Sequence, residues 1–451
     1  MSVRYLLITL ILIFTACGGG SSSVNKEVQE LDSNRSIQKI SKTVTIYVHG
    51  YRKVGDNEQA TYGARKNGSV IAKMVDITGL PTVDAYDKEN FSTLLTDIYY
   101  YGDVPPNYYT AKDLEDIEEV TRKYGGGIPR YATILAKYSK YILDETGAEK
   151  VNIISVSMGS LVTRWMIEKN LEGLSENKKI ERWMSIEGVI RGNYAVSQNG
   201  LLSVAESLGL FDNSIDTQHM HYDWIKENLT PNPDVMQSLY YRDILVGQIS
   251  STKSGEALDR LLSLNRDSQP NDGYQLVKDT YFATVENYSQ IPSHTLFYTD
   301  HEEIKEKEGA YAVMATFLES KKRVRVTLID ATLNSISNRN TKVAFESYVF
   351  SNQVKEKWGI TDAIDERVYN SGMLTRYTYN ESGETRTFTQ PIFDDFVLSD
   401  ESELDIRMRG YKIESSTNSL GDIVRNIPLK NGVYELSGEE WSAHLKVEVL
   451  E

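Results

Sequence analysis

The residue types and spacing around Ser157 could support nucleophilic catalysis. Ser157 lies in the stretch VNIISVSMGSLVTRW, residues 151–165. The apolar, β-branched run at 151–154 predicts a strand, and the residues that follow Met158 predict a helix. A sharp turn between strand and helix exposes a serine hydroxyl, and an adjacent base can then remove its proton. We therefore predict that Ser157 is a nucleophile; the alternative is an incidental serine after a buried strand.

The residues two positions before and after a serine on such a turn must be small, because the backbone is crowded there. Gly159 meets this requirement fully. Ser155 stands where the G-x-S-x-G pattern has its first glycine, and its side chain is small enough for the turn. The helix after Ser157 would also point its positive N-terminal end at the site, which favours developing negative charge.

The longer stretch EKVNIISVSMGSLVTRWMIE resembles the serine turn of bacterial lipases and esterases of the α/β-hydrolase superfamily, which reads V-N-L-V-G-H-S-M-G-G-L. Ser155 and Ser160 replace two glycines of that pattern. The resemblance covers roughly residues 43–320. It implies an α/β-hydrolase fold, a Ser-acid-His triad and hydrolysis of carboxylic esters through an acyl-enzyme.

An enzyme of this kind needs two backbone N–H donors for the developing oxyanion. The resemblance assigns one donor to Met158, the residue after the nucleophile. The strand-like VTIYV ends at Val48 and is followed by His49, Gly50 and Tyr51, which is similar to the H-G-x motif of lipases. It implies that the Tyr51 N–H is the second donor, with Gly50 allowing a sharp turn. The alternative for His49 is a strand-end histidine.

The base should follow the nucleophile and the acid along the chain. Five histidines follow Ser157, namely His219, His221, His294, His301 and His444. His444 lies in a β-rich C-terminal part and is disfavoured. His219 and His221 form an H-x-H pair, but no acidic or cysteine cluster accompanies it. We therefore expect these two residues to have a surface or cap role, and we expect no metal and no cofactor.

His301 follows the strand-like TLFY and precedes a helical pattern at 309–320. In these lipases the base lies on a loop between the last core strand and the last helix. The resemblance therefore assigns the base to His301. His294, which precedes the same strand, is the alternative.

The segment NDGYQLV, residues 271–277, resembles the lipase segment that carries the triad aspartate ahead of the histidine. It implies that Asp272 holds the imidazole tautomer and stabilises the imidazolium. N-D-G is also a common turn. Glu187, which follows the strand-like RWMSI, and Glu286 therefore remain alternatives.

Strand-like and helix-like segments alternate over residues 43–320, which predicts a mainly parallel sheet with helices on both faces. Strands are predicted at 43–48, 96–101, 151–154, 182–186 and 243–250, and a helix at 128–146. Residues 194–240 are predicted to form a cap or lid insertion. Its apolar stretch GLLSVAESLGLF is either an interfacial lid or a helix packed on the core.

Short β-like runs separated by polar turns begin near Lys321, and they predict a separate β-sandwich domain at 322–451. The ligand of this domain stays open. Asp394, Asp395 and the acidic run 400–405 are interpreted as a solvated acidic edge rather than a calcium site.

The N-terminus has Arg4, then an apolar stretch at 5–14 that is too short to span a bilayer, then Cys17, the only cysteine. This pattern resembles a bacterial lipoprotein signal at 1–16. It implies lipidation of Cys17, a flexible tether at 17–42, and a place in the bacterial cell envelope, at the outer membrane or the cell surface. An ordinary signal peptide, or a short anchor, with an incidental cysteine is the alternative.

The charge balance is acidic, with 64 Asp and Glu against 49 Lys and Arg and a net charge of −15. This argues against a nucleic-acid partner, because phosphate binding needs clustered cations. We expect a membrane-tethered serine hydrolase that acts on an ester or lipid substrate. The same machinery would serve an acyltransferase or thioesterase. A non-catalytic surface lipoprotein, such as an adhesin, is the alternative of a different class.

Overall fold

The computed structural model describes residues 41–52, 59–198, 202–203, 206, 211–229, 239–253, 271–280, 282, 293–336, 339–359, 377–413 and 418–450. Within these ranges a six-stranded sheet has the order β2-β1-β3-β4-β5-β6, and every neighbouring pair is parallel. Its strands are β1 (Thr43–Val48), β2 (Thr93–Ile98), β3 (Lys150–Val156), β4 (Ile180–Ile186), β5 (Leu245–Ser251) and β6 (Ser293–Phe297).

Helices cover both faces of this sheet. They are α1 (Gly68–Thr78), α2 (Ala111–Tyr124), α3 (Gly127–Thr146), α4 (Met158–Glu168), α5 (Tyr194–Ser197), α6 (Ile215–His219), α7 (Tyr222–Asn228) and α8 (Glu308–Glu319). Successive side chains of a strand point to opposite faces, so each strand supplies two cores. On β1, Ile46 joins the core under α2, α3 and α4, whereas Tyr47 joins the core under α1 and α8.

Two further sheets follow, both antiparallel and four-stranded in the described residues, with the orders β10-β7-β14-β13 and β12-β11-β8-β9. Their strands are β7 (Arg323–Leu333), β8 (Thr341–Phe350), β9 (Tyr377–Tyr379), β10 (Thr385–Phe396), β11 (Glu403–Lys412), β12 (Asn418–Pro428), β13 (Gly432–Ser437) and β14 (Trp441–Leu450), with helix α9 (Asn352–Trp358) after β8. Alternate residues of both sheets share one buried apolar cluster. This is a β-sandwich.

The sandwich packs against the parallel sheet along β6, where β10 contacts that strand. Thr295 Oγ1 on β6 donates a hydrogen bond to Asp395 Oδ2 on β10 at 2.8 Å. The Phe396 ring packs edge-on against Phe317 of α8, with ring centroids 5.1 Å apart. Asp394 is not a solvated acid, because it is buried against the guanidinium of Arg323.

The predicted parallel sheet with helices on both faces and the predicted β-sandwich are confirmed. The second strand differs from the prediction of 96–101, because β2 ends at Ile98 and the aromatic residues Tyr99 to Tyr101 follow it. Aromatic residues favour strands in general, but here the three side chains turn into the core beside α3. The domain boundaries at 43–320 and 322–451 stay a prediction.

The N-terminal prediction concerns residues 1–16 and 17–42, and its Cys17 lies outside the described residues. The same is true of Glu286, the alternative acid, and of most of the apolar stretch 200–211. Among the helices that the structure describes, none combines the length and the apolar character needed to cross a membrane.

Candidate active site

Ser157 lies at the turn between β3 and α4 with a backbone conformation of φ 53° and ψ −126°. Residues other than glycine rarely adopt a positive φ, and they persist there only where the surrounding structure holds them. Two backbone hydrogen bonds do so: the Ser157 N–H donates to Ile186 O at 2.9 Å, and the Ser157 carbonyl accepts from the Val189 N–H at 3.1 Å. The turn is therefore clamped by the chain that follows β4.

Gly159 is required by close packing rather than by its backbone angles. A Cβ atom at this position would lie 2.4 Å from His49 O and 2.7 Å from Val48 O, well inside contact distance. The first turn of α4 therefore packs directly on the backbone that leaves β1. Gly50 is equally close to the nucleophile, since a Cβ there would lie 2.9 Å from Ser157 Cβ. The two predicted motifs lie side by side.

The Gly50 carbonyl is held by two groups from the core. His49 Nδ1 donates to Gly50 O at 2.8 Å, and the Tyr100 hydroxyl lies 3.1 Å from Gly50 O and 2.5 Å from His49 O. In a planar trans peptide the carbonyl and the next N–H point in opposite directions. Fixing the Gly50 carbonyl therefore fixes the direction of the Tyr51 N–H, which has no hydrogen-bond partner among the described residues.

The His49 ring stacks on Tyr100 with centroids 4.0 Å apart. Burial, and secondarily the nearby Arg52 charge, lower the pKa of His49 to about 3. The ring is therefore neutral at physiological pH, and its Nδ1 carries the proton that Gly50 O accepts. Met158 stays the other predicted donor; it is the first residue of α4, where the N–H groups have no acceptor within the helix. The contact of the Tyr100 hydroxyl with the His49 and Gly50 carbonyls was not predicted from the sequence.

Asp272 and His301 are in direct contact, with Asp272 Oδ2 2.7 Å from His301 Nδ1. Both side chains are buried. The other carboxylate oxygen of Asp272 accepts the N–H groups of Tyr274 at 2.8 Å and Gln275 at 2.6 Å, so the N-D-G turn orients the acid. The His301 N–H also donates to Asp272 O at 3.0 Å. These bonds fix the imidazole relative to the aspartate.

Glu187 is a second carboxylate on the same imidazole, with Oε2 3.2 Å from His301 Nδ1. It follows β4, is fully buried, and has a positive φ of 49°. Burial raises the pKa of Glu187 well above its usual value. For His301, burial favours the neutral ring, but the carboxylates of Asp272 and Glu187 outweigh burial and raise the pKa to about 9. Of the two acids, Asp272 is the closer and the better oriented.

The other candidate histidines lie elsewhere. His219 is buried, accepts the Ile128 N–H at 3.2 Å and stacks on Trp224, so it joins α6 to α3. His444 Nδ1 contacts Asp330 in the sandwich at 2.7 Å. His294 is on β6, and its side chain lies outside the described residues.

Ser157 follows β3, Asp272 lies between β5 and β6, and His301 follows β6. All three therefore lie at the carboxyl edge of the parallel sheet. The serine is on a strand–turn–helix segment, and the three residues follow the chain order serine, acid, histidine. The protein has the α/β-hydrolase fold. The α/β-hydrolase fold that was predicted from the residues around Ser157 is therefore confirmed by the strand order and by the conformation of this turn.

No protein-family model and no curated protein matches the chain. Among solved structures, the chain is similar to the mature lipase BlEst2 of Bacillus licheniformis, with 14% identity over 62% of this chain and 91% of that one and a TM-score of 0.39. It is also similar to phospholipase PlaB from Legionella pneumophila, with 11% identity over 86% and 90% and a TM-score of 0.37. The metagenomic carboxyl esterase MGS0156 has 12% identity over 59% and 66% and a TM-score of 0.33.

Ser155 belongs to a buried polar network beneath the turn of this α/β-hydrolase fold. Its hydroxyl accepts the Trp183 indole N–H at 2.8 Å and contacts Ser160 Oγ at 3.0 Å. Ser185 in turn donates to Ser160 Oγ at 2.9 Å. The two serines that replace glycines of the lipase pattern are therefore bonded to each other, and together they satisfy groups from β4.

Replacing Ser155 with glycine is expected to lower the free energy of unfolding by about 1–3 kcal/mol, because the buried Trp183 N–H loses its acceptor. The activity per folded molecule should be retained, since no reacting group is removed. Thermal unfolding followed by fluorescence measures the change. Ser155→Ala is the matched control, because it keeps Cβ and loses only the hydroxyl. Unchanged melting temperatures in both variants would show that this network contributes nothing to stability.

Ser157 and His301 line one cavity of about 450 Å³. The Ser157 hydroxyl makes no hydrogen bond to any residue that the structure describes, and such bonds often tighten only with bound substrate. Phe211 and Met220 from the predicted cap insertion also line the cavity, and Asp212 accepts a hydrogen bond from the Tyr51 hydroxyl at 2.7 Å. The insertion therefore contributes one wall of the site.

Two groups of acidic and histidine side chains in the described residues have the spacing of metal ligands. One is Glu187, Asp272 and His301 itself. In the other, Asp113, Asp116 and Glu172 surround the buried Lys137 ammonium at 2.7–2.9 Å. The lysine already supplies the positive charge there. The expectation that no metal and no cofactor is needed stays a prediction.

Proposed function

We propose that this protein is a serine hydrolase that cleaves carboxylic esters through a covalent acyl-enzyme. The observation that carries the proposal is the 2.7 Å contact of Asp272 with His301 in the cavity that Ser157 also lines. The positive-φ serine turn and the oriented Tyr51 N–H support it. The likeness to solved lipases and esterases concerns the fold alone.

In the proposed mechanism His301 Nε2 takes the proton of the Ser157 hydroxyl while the serine oxygen attacks the acyl carbonyl carbon. The Tyr51 and Met158 N–H groups bind the oxyanion of the tetrahedral intermediate. His301 then gives its proton to the leaving alcohol, and the carbon–oxygen ester bond breaks. A water molecule, deprotonated by the same imidazole, releases the acid and restores Ser157. Asp272 holds the imidazole and stabilises its protonated form throughout.

The proposal includes the predicted setting of the enzyme. Lipidation of Cys17 and the tether at 17–42 would hold it at the bacterial cell envelope, with an ester or lipid as its partner. The hydrolase part would span 43–320, with the sandwich at 322–451 as a separate domain. Lipase, esterase and acyltransferase activities share this machinery, and product analysis with and without an added alcohol acceptor separates hydrolysis from acyl transfer.

Covalent labelling tests the proposal directly. The full chain is treated with a fluorophosphonate, and the adduct is located by peptide mass spectrometry. We expect one adduct, on Ser157, and we expect prior incubation with excess ester to slow labelling. The Ser155→Ala variant is the control and should still be labelled. Absence of an adduct, or an adduct on another serine, would remove Ser157 as the nucleophile and favour the non-catalytic lipoprotein.

A further inference from the structure

Two cationic side chains, Arg52 and Lys66, line the cavity beside Ser157. Across the ranges that the structure describes, neither has a carboxylate within 4.0 Å. Cationic side chains beside a cavity are usually neutralised by an acid or point away into water. Their position against the site therefore needs a physical reason.

Arg52 is half-buried, and Lys66 is exposed, but both side chains contact the Tyr99 ring. Arg52 Nη2 donates to the neutral Asn67 side-chain oxygen at 2.7 Å. The Arg52 guanidinium lies 5.4 Å from the centroid of the Tyr99 ring, and the Lys66 ammonium lies 4.4 Å from the same centroid. Attraction to one aromatic face can hold a cation, but two like charges around one ring repel each other. An anion within reach of both would offset that repulsion.

The start of α1 adds to the positive potential at this place. Asn67 is its N-cap residue and bonds no helix N–H with its side chain, and the first turn contains no acidic residue. Ser69 of that turn lines the cavity. The N-terminal end of a helix carries partial positive charge and unpaired N–H groups.

The acids nearby pair with neither Arg52 nor Lys66. Asp97 is buried, and its Oδ2 accepts the N–H groups of Lys66 and Asn67 and the Asn67 side-chain amide, so it offsets part of the positive potential at the start of α1 but lies more than 4.0 Å from both cationic groups. Glu302 lines the cavity but contacts Lys305, which also lines it, at 2.8 Å. The lining thus has three cations and one acid, in a chain whose net charge is −15.

We propose that Arg52, Lys66 and the first turn of α1 form an anion subsite, so that the substrate is an ester bearing a carboxylate or phosphate in its acyl or alcohol part. The subsite would hold this second charge while Ser157 attacks the ester carbonyl. This inference rests on the proposed function, because the bound anion is part of a substrate only if the protein is an ester hydrolase. Anion binding itself can be tested without turnover.

The first experiment compares two esters that differ in one charge. The acyl chains of 4-nitrophenyl valerate and the 4-nitrophenyl monoester of glutarate have the same number of carbon atoms, and only the second ends in a carboxylate. The measured quantity is the ratio of kcat/KM for the glutarate ester to that for the valerate ester. This ratio does not depend on the fraction of folded enzyme, so a partly misfolded variant still gives an answer.

We expect the double variant Arg52→Gln/Lys66→Gln to lower this ratio by about tenfold or more, because charge-assisted bonds to the anion are lost. Arg65→Gln is the matched control. Arg65 precedes Lys66, does not line the cavity, and pairs with Asp84 at 2.5 Å. Arg65→Gln removes one positive charge beside Lys66, where the double variant removes two, and it should leave the ratio unchanged.

The second experiment measures anion binding in Ser157→Ala, which needs no catalysis. Glutarate tests a carboxylate, glycerol 3-phosphate tests a phosphate, and glycerol is the uncharged control. A bound ligand raises the melting temperature. We expect at least one of the two anions to raise it, glycerol to have no effect, and the rise to disappear when Arg52 and Lys66 are also replaced. High salt should weaken it.

The outcomes separate the two proposals. If neither anion shifts the melting temperature, or if the shift survives in the Arg52→Gln/Lys66→Gln background, the anion subsite is wrong even if the enzyme hydrolyses valerate. If the shift behaves as expected but no ester is cleaved and no fluorophosphonate adduct forms, the subsite stands and the proposed hydrolase function fails.

Discussion

Replacing Ser157 with alanine is expected to lower kcat for 4-nitrophenyl valerate by about 10⁴- to 10⁶-fold, to the level left by binding and oxyanion stabilisation alone. The side chain of Ser157 makes no hydrogen bond to a described residue, and alanine tolerates φ 53° no worse than serine does. The fold should therefore survive the change, and the loss should be in kcat rather than in stability.

The matched control for this variant is Ser155→Ala, two residues earlier, near the end of β3. Steady-state kinetics and a melting curve on both proteins separate the two effects. We expect Ser155→Ala to lose stability and keep turnover, whereas Ser157→Ala should keep stability and lose turnover. A Ser157→Ala protein that still hydrolyses the ester at more than a hundredth of the native rate would show that another group performs the attack.

Replacing Asp272 with asparagine is expected to lower kcat/KM by about 10³- to 10⁴-fold, because the imidazole loses the acceptor that fixes its tautomer and stabilises its charge. Glu187→Gln should have an effect of about tenfold or less. Glu187 is the more distant acid, at 3.2 Å against 2.7 Å for Asp272, and its charge raises the pKa of His301 less than the charge of Asp272 does. If the order of the two effects were reversed, Glu187 would be the acid of the triad.

The pH dependence of kcat/KM is an independent test of the Asp272–His301 pair. Only the neutral imidazole can accept the Ser157 proton, so kcat/KM should rise as His301 deprotonates. Against burial, the two carboxylates raise the pKa of His301 to about 9, so the inflection in the native enzyme should lie above the ordinary value of 6.5. In Asp272→Asn the main contribution that raises the pKa is gone, and the inflection should move to lower pH. A pH profile that is the same in both proteins would contradict the assignment of Asp272.

The residues that could be predicted from the sequence are those whose chemistry depends on neighbours along the chain. The apolar run before Ser157 and the helix after it are local, and so are the His49-Gly50 step and the N-D-G turn at Asp272. The structure places all of them at one edge of the sheet. Asp272 and His301, 29 positions apart, are in contact, although no local pattern states that they meet.

The features that sequence reasoning missed depend on contacts across strands. Tyr100 reaches the carbonyls of His49 and Gly50 because β2 lies beside β1 in the sheet order. Glu187 was named only as an alternative to Asp272, but it contacts the same imidazole as Asp272, because β4 lies beside β5 and β5 lies beside β6. Arg52, which follows β1, and Lys66, which precedes α1, both contact the Tyr99 ring at the end of β2. The tyrosine run was interpreted only as part of the strand predicted at 96–101, and its role in orienting backbone groups could not be read from spacing.

The contact between β6 and β10 has a consequence for how this chain behaves while it folds. β6 is the last strand of the parallel sheet, and an uncovered last strand presents a row of unpaired backbone groups to which another polypeptide can add. Because β10 lies against it and Asp395 binds Thr295, the sandwich shields that border. We therefore expect the sandwich to protect this edge from self-association, and we expect a chain that ends before residue 385 to aggregate more readily through β6.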